Sequence, residues 1–194
     1  MILSMPQEYT NGSSSYADYL QWNKDLRCEA FDGMIVNMTP SPTPGHQKIQ
    51  VELSVEIGSY LREKDCEILT APLDVCLFAT PETPNEEIKN WIQPDLMIVC
   101  DPKKIEEKRI IGAPDLVIEI LSPATARTDR LTKYNKYEEA GVKEYWIVDP
   151  HHETVEVFVL QDQSFERVDV FTKNDVVKVS LFPDFEVQLN KIFP

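Results

Sequence analysis

Acidic residues stand inside runs of this chain that otherwise read as buried strands, and that limits what it can fold into. Residues 91–150 run WIQPDLMIVC, then a charged connector, then GAPDLVIEILSPATARTDRLTKYNKYEEAGVKEYWIVDP. Three short apolar runs sit here, with a long polar helix between the last two. DLVIEILS is the most apolar and reads as a central strand. Asp95 and Glu119 lie in or at the edge of such runs. A bare carboxylate there is costly unless a partner offsets it. Two of them on neighbouring strands point to one shared partner, a divalent cation. Side chains alternate along a strand, so Asp115, Val117, Glu119 and Leu121 share a face, as do Gln93 and Asp95. If the two strands are neighbours, both acids converge at one end of the sheet. Such a pair, with waters and a backbone carbonyl, suits Mg²⁺ or Mn²⁺. An ion of this kind activates water beside a phosphodiester.

The helix that follows adds a cation. Asp129, Lys133 and Tyr137 are spaced four apart and stack on one face. Lys133 there can point its ammonium toward the metal-bound water or a scissile phosphate. The competing account is a surface Asp129–Lys133 pair worth a few tenths of a kcal/mol, with Tyr134, Tyr137 and Ala140 as a packing stripe. Thr125 or Thr128 can cap this helix, which ends at Gly141.

Around this centre the remaining segments read simply. Residues 1–14 are polar and expected to be loosely held. Residues 15–26 read as a short helix. CEAFDGMIVNM reads as a hairpin turning at Asp32-Gly33. TPSPTPGH is a loop, and Gly45–Lys64 is a long helix buried through Ile49, Leu53, Ile57, Tyr60 and Leu61. CEILTAP, DVCLFAT and PDLMIVC read as strands, and EYWIVDP as another. From residue 151 to 194 the runs ETVEVFVLQ, SFERVDVFT, DVVKVSLF and DFEVQL alternate and read as an antiparallel meander. At 194 residues the chain is expected to form a single domain.

Charge narrows the function. A net charge of −14 argues against general salt-driven nucleic-acid binding. Residues 103–136 are the exception, with eight basic residues against five acids. No run is long enough to span a membrane, and the N-terminus has no secretory pattern. Cys28, Cys66, Cys76 and Cys100 form no C-x-x-C pair, so they read as buried thiols in a reducing cytoplasm.

QPDLMIV and GAPDLVIEILSPATARTDRLTKYNKYEEAGVKEYWIVDP, with CEAFDG and PSPTPGHQKIQ, resemble the Uma family of restriction endonucleases, abundant in cyanobacteria, within the PD-(D/E)XK nuclease superfamily. The resemblance covers roughly residues 25–160. It implies a restriction-endonuclease-like α/β core, a mixed central sheet flanked by helices: a helix, three antiparallel strands, a helix and a strand added parallel. Here that core carries the N-terminal hairpin and the C-terminal meander. By the family pattern Asp95 and Glu119 bind the metal, helped by the carbonyl of Ile120. The pattern's lysine should stand two residues after Glu119, where this chain has Leu121, and the resemblance implies that Lys133 replaces it. Lys136 and Arg130 are the fallbacks. Glu29 and His46 match family positions without an assigned role.

The activity implied is Mg²⁺-dependent hydrolysis of DNA, with Asp95, Glu119 and Lys133 converging in a cleft. Two other readings compete. One is a nuclease-fold binding module without catalysis, favoured by Leu121 and the acidity. The other is a metal-dependent hydrolase of a small phosphoester. If DNA is the ligand, a homodimer would join two basic clefts.

Overall fold

The computed structural model describes residues 14–22, 27–38 and 42–193. The expectation for residues 1–14 therefore lies almost wholly outside the described residues. Of the helix expected over 15–26, α1 spans Tyr16–Tyr19, capped by Ser15 and Asp18, and residues 23–26 are not described.

The hairpin β1 (Cys28–Phe31) and β2 (Met34–Asn37) turns at Asp32-Gly33, both at positive φ, as a two-residue turn requires. Backbone bonds between Ala30 and Trp91 tie it to the body. Helix α2 (Pro44–Leu61) starts behind Thr43, whose hydroxyl accepts the His46 N–H.

The main sheet has six strands: β3 (Glu67–Thr70), β5 (Leu96–Val99), β7 (Leu116–Ile120), β8 (Glu144–Asp149), β9 (Thr154–Gln161) and β10 (Ser164–Thr172). They lie in the order β10-β9-β8-β7-β5-β3. All neighbours are antiparallel except β7 and β8. The crossover between that parallel pair is a π-type turn over Thr128–Lys133 leading into α3 (Tyr134–Ala140), closed by Gly141 at φ 83°. Ser122 and Thr125 cap its start reciprocally, and Thr128 lies inside it. Packing follows the alternation read from sequence. Leu96, Ile98, Leu116, Ile118 and Ile120 face Ile49, Leu53, Ile57 and Leu61 of α2. Met97, Val99, Val117 and Leu121 face Tyr137 and Val142 on the α3 side.

Three expectations are corrected. β4 (Asp74–Cys76) leaves the sheet and pairs in parallel with β6 (Arg109–Ile111) in the charged connector. Only β9 and β10 of the expected meander continue the sheet; β11 (Val176–Lys178) and β12 (Glu186–Gln188) form their own hairpin, followed by the unforeseen α4 (Leu189–Ile192). The apolar residues of this region are core: Val155 and Val157 are buried, and Phe171, Phe182 and Phe185 pack against them. Finally, Cys66 and Cys100 form a disulfide, leaving Cys28 and Cys76 as free thiols. Glu67 pairs with Val99, so the two cysteines stand opposite each other one position further along the antiparallel ladder.

Two stability tests follow. The disulfide closes a loop of 34 residues, so Cys100→Ser should lose about 3–4 kcal/mol in urea unfolding; an unchanged midpoint, with free thiols at Cys66 and Cys100 of the parent by mass spectrometry, would remove the bond. Glu144 is buried and accepts from Trp146 Nε1 at 2.7 Å and the Leu181 N–H at 3.0 Å. Burial holds its carboxyl above the usual 4.5 despite those bonds. The folded chain therefore keeps this proton more tightly than the unfolded chain. Its contribution favours folding below about pH 4.5 and is lost as pH rises through the folded-state value. Comparing Glu144→Gln with the parent across pH 4–7 should show that slope disappear.

Candidate active site

The register of β5 and β7 pairs Leu96 with Ile118 and Met97 with Val117. One position further, Asp95 falls opposite Glu119, on the face that carries Met97 and Val117. The two acids thus meet at one sheet end, as the alternation predicted.

Each carboxylate is held through one oxygen. Asp95 Oδ2 accepts the Ile120 N–H at 2.8 Å and lies 3.2 Å from His46 Nε2. Glu119 Oε1 accepts the Tyr137 hydroxyl at 2.6 Å and the Lys133 ammonium at 2.9 Å. The same ammonium lies 2.9 Å from Glu29 Oε1 and 3.7 Å from Asp129 Oδ1. Glu29 is fixed in turn by the Gln93 N–H at 3.0 Å. The Asp129 carbonyl accepts both the Tyr134 N–H, five residues on, and the Tyr145 hydroxyl at 3.1 Å. A widened helical turn of this kind often marks a functional site. Leu121 packs in the apolar cluster on the α3 side, so the cation reaches Glu119 from the helix instead of the strand.

The remaining residues sort cleanly. Lys136 pairs with Asp32 and Glu139, and Arg130 with Glu156, so neither fallback meets the acids. The Gln93 side chain turns away: it donates to Asp74 Oδ1 at 2.7 Å and accepts from Arg27 at 2.9 Å, and Asp74 also accepts the Tyr16 hydroxyl. Asp74, Arg27 and Tyr145 were not legible as supporting groups, because nothing in their spacing linked them to the acids. The alternative of a solvated Asp129–Lys133 pair fails, since the two residues are only 2% and 5% exposed.

Electrostatics explains the arrangement. Three carboxyls (Glu29, Glu119 and Asp129) lie within 4 Å of one ammonium, and Asp95 stands beside Glu119. Burial pushes Glu119 well above the usual carboxylate range, against the pull of Lys133, and Asp129, Asp95 and Glu29 push the same way. Burial likewise raises Asp129. For Lys133 burial works downward, but Glu119, Glu29 and Asp129 outweigh it and keep the ammonium charged. Burial also works to lower His46, yet the Asp95 carboxylate and the Ile120 carbonyl hold its imidazole above 6.5. Side chains fill the space around Glu119, and solvent reaches the group at Asp95, whose side chain is 22% exposed.

Among the described residues no three acid, histidine or cysteine side chains are grouped as a metal site, so a hard divalent cation would rest on two carboxylates and a backbone carbonyl. Acid exceeds base in the cluster, the candidate donors are oxygens, and Asp129 Oδ1 is buried without a hydrogen-bond partner. Neither Asp95 Oδ1 nor Glu119 Oε2 takes a hydrogen bond from the described residues. Asp95, Glu119 and the Ile120 carbonyl are the groups that would hold such an ion.

Comparison with known proteins agrees with the fold. A family model described as "Uma2: Putative restriction endonuclease" matches residues 16–190. An uncharacterized protein of Synechocystis sp. is 30% identical over 160 residues, covering 81% of this chain and 73% of the relative. The crystal structure of "a putative nuclease belonging to DUF820" from Anabaena variabilis superposes with a TM-score of 0.71 at 23% identity, covering 92% of this chain and 97% of that one.

Removing the one ammonium should expose the charge imbalance. Lys133→Met is expected to destabilise the fold by roughly 3–5 kcal/mol at neutral pH. Adding Glu119→Gln should recover part of that loss in a urea double-mutant cycle. Strict additivity of the two changes would show that they do not interact.

Proposed function

The chain belongs to the Uma2 family, and from that membership we propose that it is a metal-dependent endonuclease of the PD-(D/E)XK type, hydrolysing phosphodiester bonds of DNA with Mg²⁺ or Mn²⁺. The observation that carries this reading is Lys133 bonded to Glu119 beside Asp95, at one end of adjacent strands. Bound at Asp95, Glu119 and the Ile120 carbonyl, the cation would polarise the scissile phosphate and acidify a nearby water.

The chain's own groups do the rest. Lys133 and Tyr137 hold Glu119 through Oε1, which leaves Oε2 for the site. The Ile120 N–H and His46 hold Asp95 through Oδ2 and leave Oδ1. Glu29 also holds the Lys133 ammonium, at 2.9 Å, and that buried charge would stabilise negative charge developing on phosphate. Water oxygen bonds to phosphorus, a carboxylate of the cluster takes the water's proton, and the ester bond to the sugar oxygen breaks as that oxygen takes up a proton from solvent. The closure of the cluster around Glu119 favours one other reading, a nuclease-fold binding module without catalysis.

Supercoiled plasmid incubated with Mg²⁺, Mn²⁺ or EDTA separates the two. Metal-dependent nicking should fall by about 100-fold or more in Asp95→Asn and in Glu119→Gln, with folding checked by circular dichroism. Nicking that persists in EDTA, or in both variants, would sink the proposed centre. Plasmid binding without nicking would leave the binding module.

A further inference from the structure

Helix α2 lends only its first turn to the acid cluster, and the rest of its exposed face has no assigned role. Ile49, Leu53, Ile57 and Leu61 recur every four residues and pack on the sheet. Glu52, Glu56 and Glu63 fall together on one flank, where Glu56 pairs with Lys191. The remaining stripe, Val51, Ser54, Val55, Gly58 and Arg62, keeps the three-and-four spacing of a single face and carries no carboxylate.

That stripe looks across a groove of about 560 Å³ at β3, the edge strand of the sheet, and no acid lines the groove. Alternation along β3 explains its side of the matter. Ile68 packs towards α2, so Thr70 shares that face, while Glu67 goes with Leu69 to the other. An acid-free groove is a selective feature in a chain of net charge −14. A second concavity, by contrast, is lined by Asp32, Glu87 and Glu139.

The groove also abuts the candidate active site. Gln50 and Ala71 both line it, and both bond the Asp95 carbonyl, at 2.9 Å and 3.1 Å. From Gln50 to Arg62 it runs roughly 18 Å along the helix, at about 1.5 Å per residue. Arg62 and Lys48 are exposed and have no ion-pair partner among the described residues. Val51 and Val55 are 58% and 53% exposed.

We propose that the acid-free groove between α2 and β3 binds a single nucleic-acid strand and leads it to Asp95. The proposal rests on the nuclease reading above. Arg62 and Lys48 meet phosphates, Ser59 and Thr70 offer hydroxyl donors to the backbone, and Val51 and Val55 give sugars and bases an apolar contact. Carboxylates are absent because each would repel the passing phosphodiester.

Fluorescence anisotropy tests this, using labelled DNA and RNA strands about 15 nucleotides long, with Ca²⁺ in place of Mg²⁺. Arg62→Glu and Val55→Asp change exposed positions and should each weaken binding by about fivefold or more. Arg62→Ala should flatten the salt dependence by about one unit of slope. Arg167→Glu, exposed on β10 at the far edge of the sheet, should change nothing. The tighter of the two strands identifies the nucleic acid. A wild type that binds while both groove variants bind equally well overturns the groove and leaves the nuclease reading standing. A wild type that binds neither strand also overturns the groove, and plasmid nicking by the same preparation then decides the nuclease reading separately. If Val55→Asp splits a dimer by light scattering without changing strand binding, the face is a contact between copies and the proposal falls. Strand binding that is lost in the variants, from a protein that never nicks plasmid, supports the groove and removes the nuclease.

Discussion

A single buried ammonium holds this structure's centre together. Lys133 reaches Glu119 on β7, Glu29 on β1 and Asp129 in its own turn. Tyr137 on Glu119 and Lys136 on Asp32 add to the same links between helix, sheet and hairpin. Withdrawing so many charges from water is unfavourable, and it is sustained only because each carboxylate finds the ammonium or a fixed donor. The hairpin, the sheet and the crossover helix are thereby committed to one mutual position.

That commitment shapes access. The groups around Lys133 are sealed, whereas Asp95 sits at the rim, steadied by the Ile120 N–H and by His46 from the first turn of α2. The long helix serves twice: its apolar stripe closes the core, and its first turn supports the outer acid. Tyr137 and Tyr145 give the buried carboxyl and the turn their remaining hydrogen bonds from within the apolar layer. This combination of an apolar body and a polar tip suits tyrosine.

Much of the fold was legible because it depends on period. Alternation in DLVIEILS assigned Glu119 to a face, and the four-residue spacing assigned Lys133 and Tyr137 to one side of their helix; both assignments match the structure. Asp32-Gly33 identified its turn because few other pairs tolerate positive φ at both positions. The placement of β4 was not legible, since a short apolar run does not say which sheet it joins. The disulfide was hidden for a similar reason: Cys66 and Cys100 become neighbours only through the pairing of β3 with β5.

The sequence by itself determined which residues are apolar at which period, where turns and helix ends fall, and which acids must seek a partner. Those properties depend on neighbours a few residues away. Only the tertiary structure decided who the partner is. Glu29 and His46 stand out in the chain only through the family resemblance, which gives them no role. They become part of the centre because the hairpin docks beside Trp91 and α2 begins above Asp95. Contacts of that range depend on how layers stack, and no local spacing encodes them.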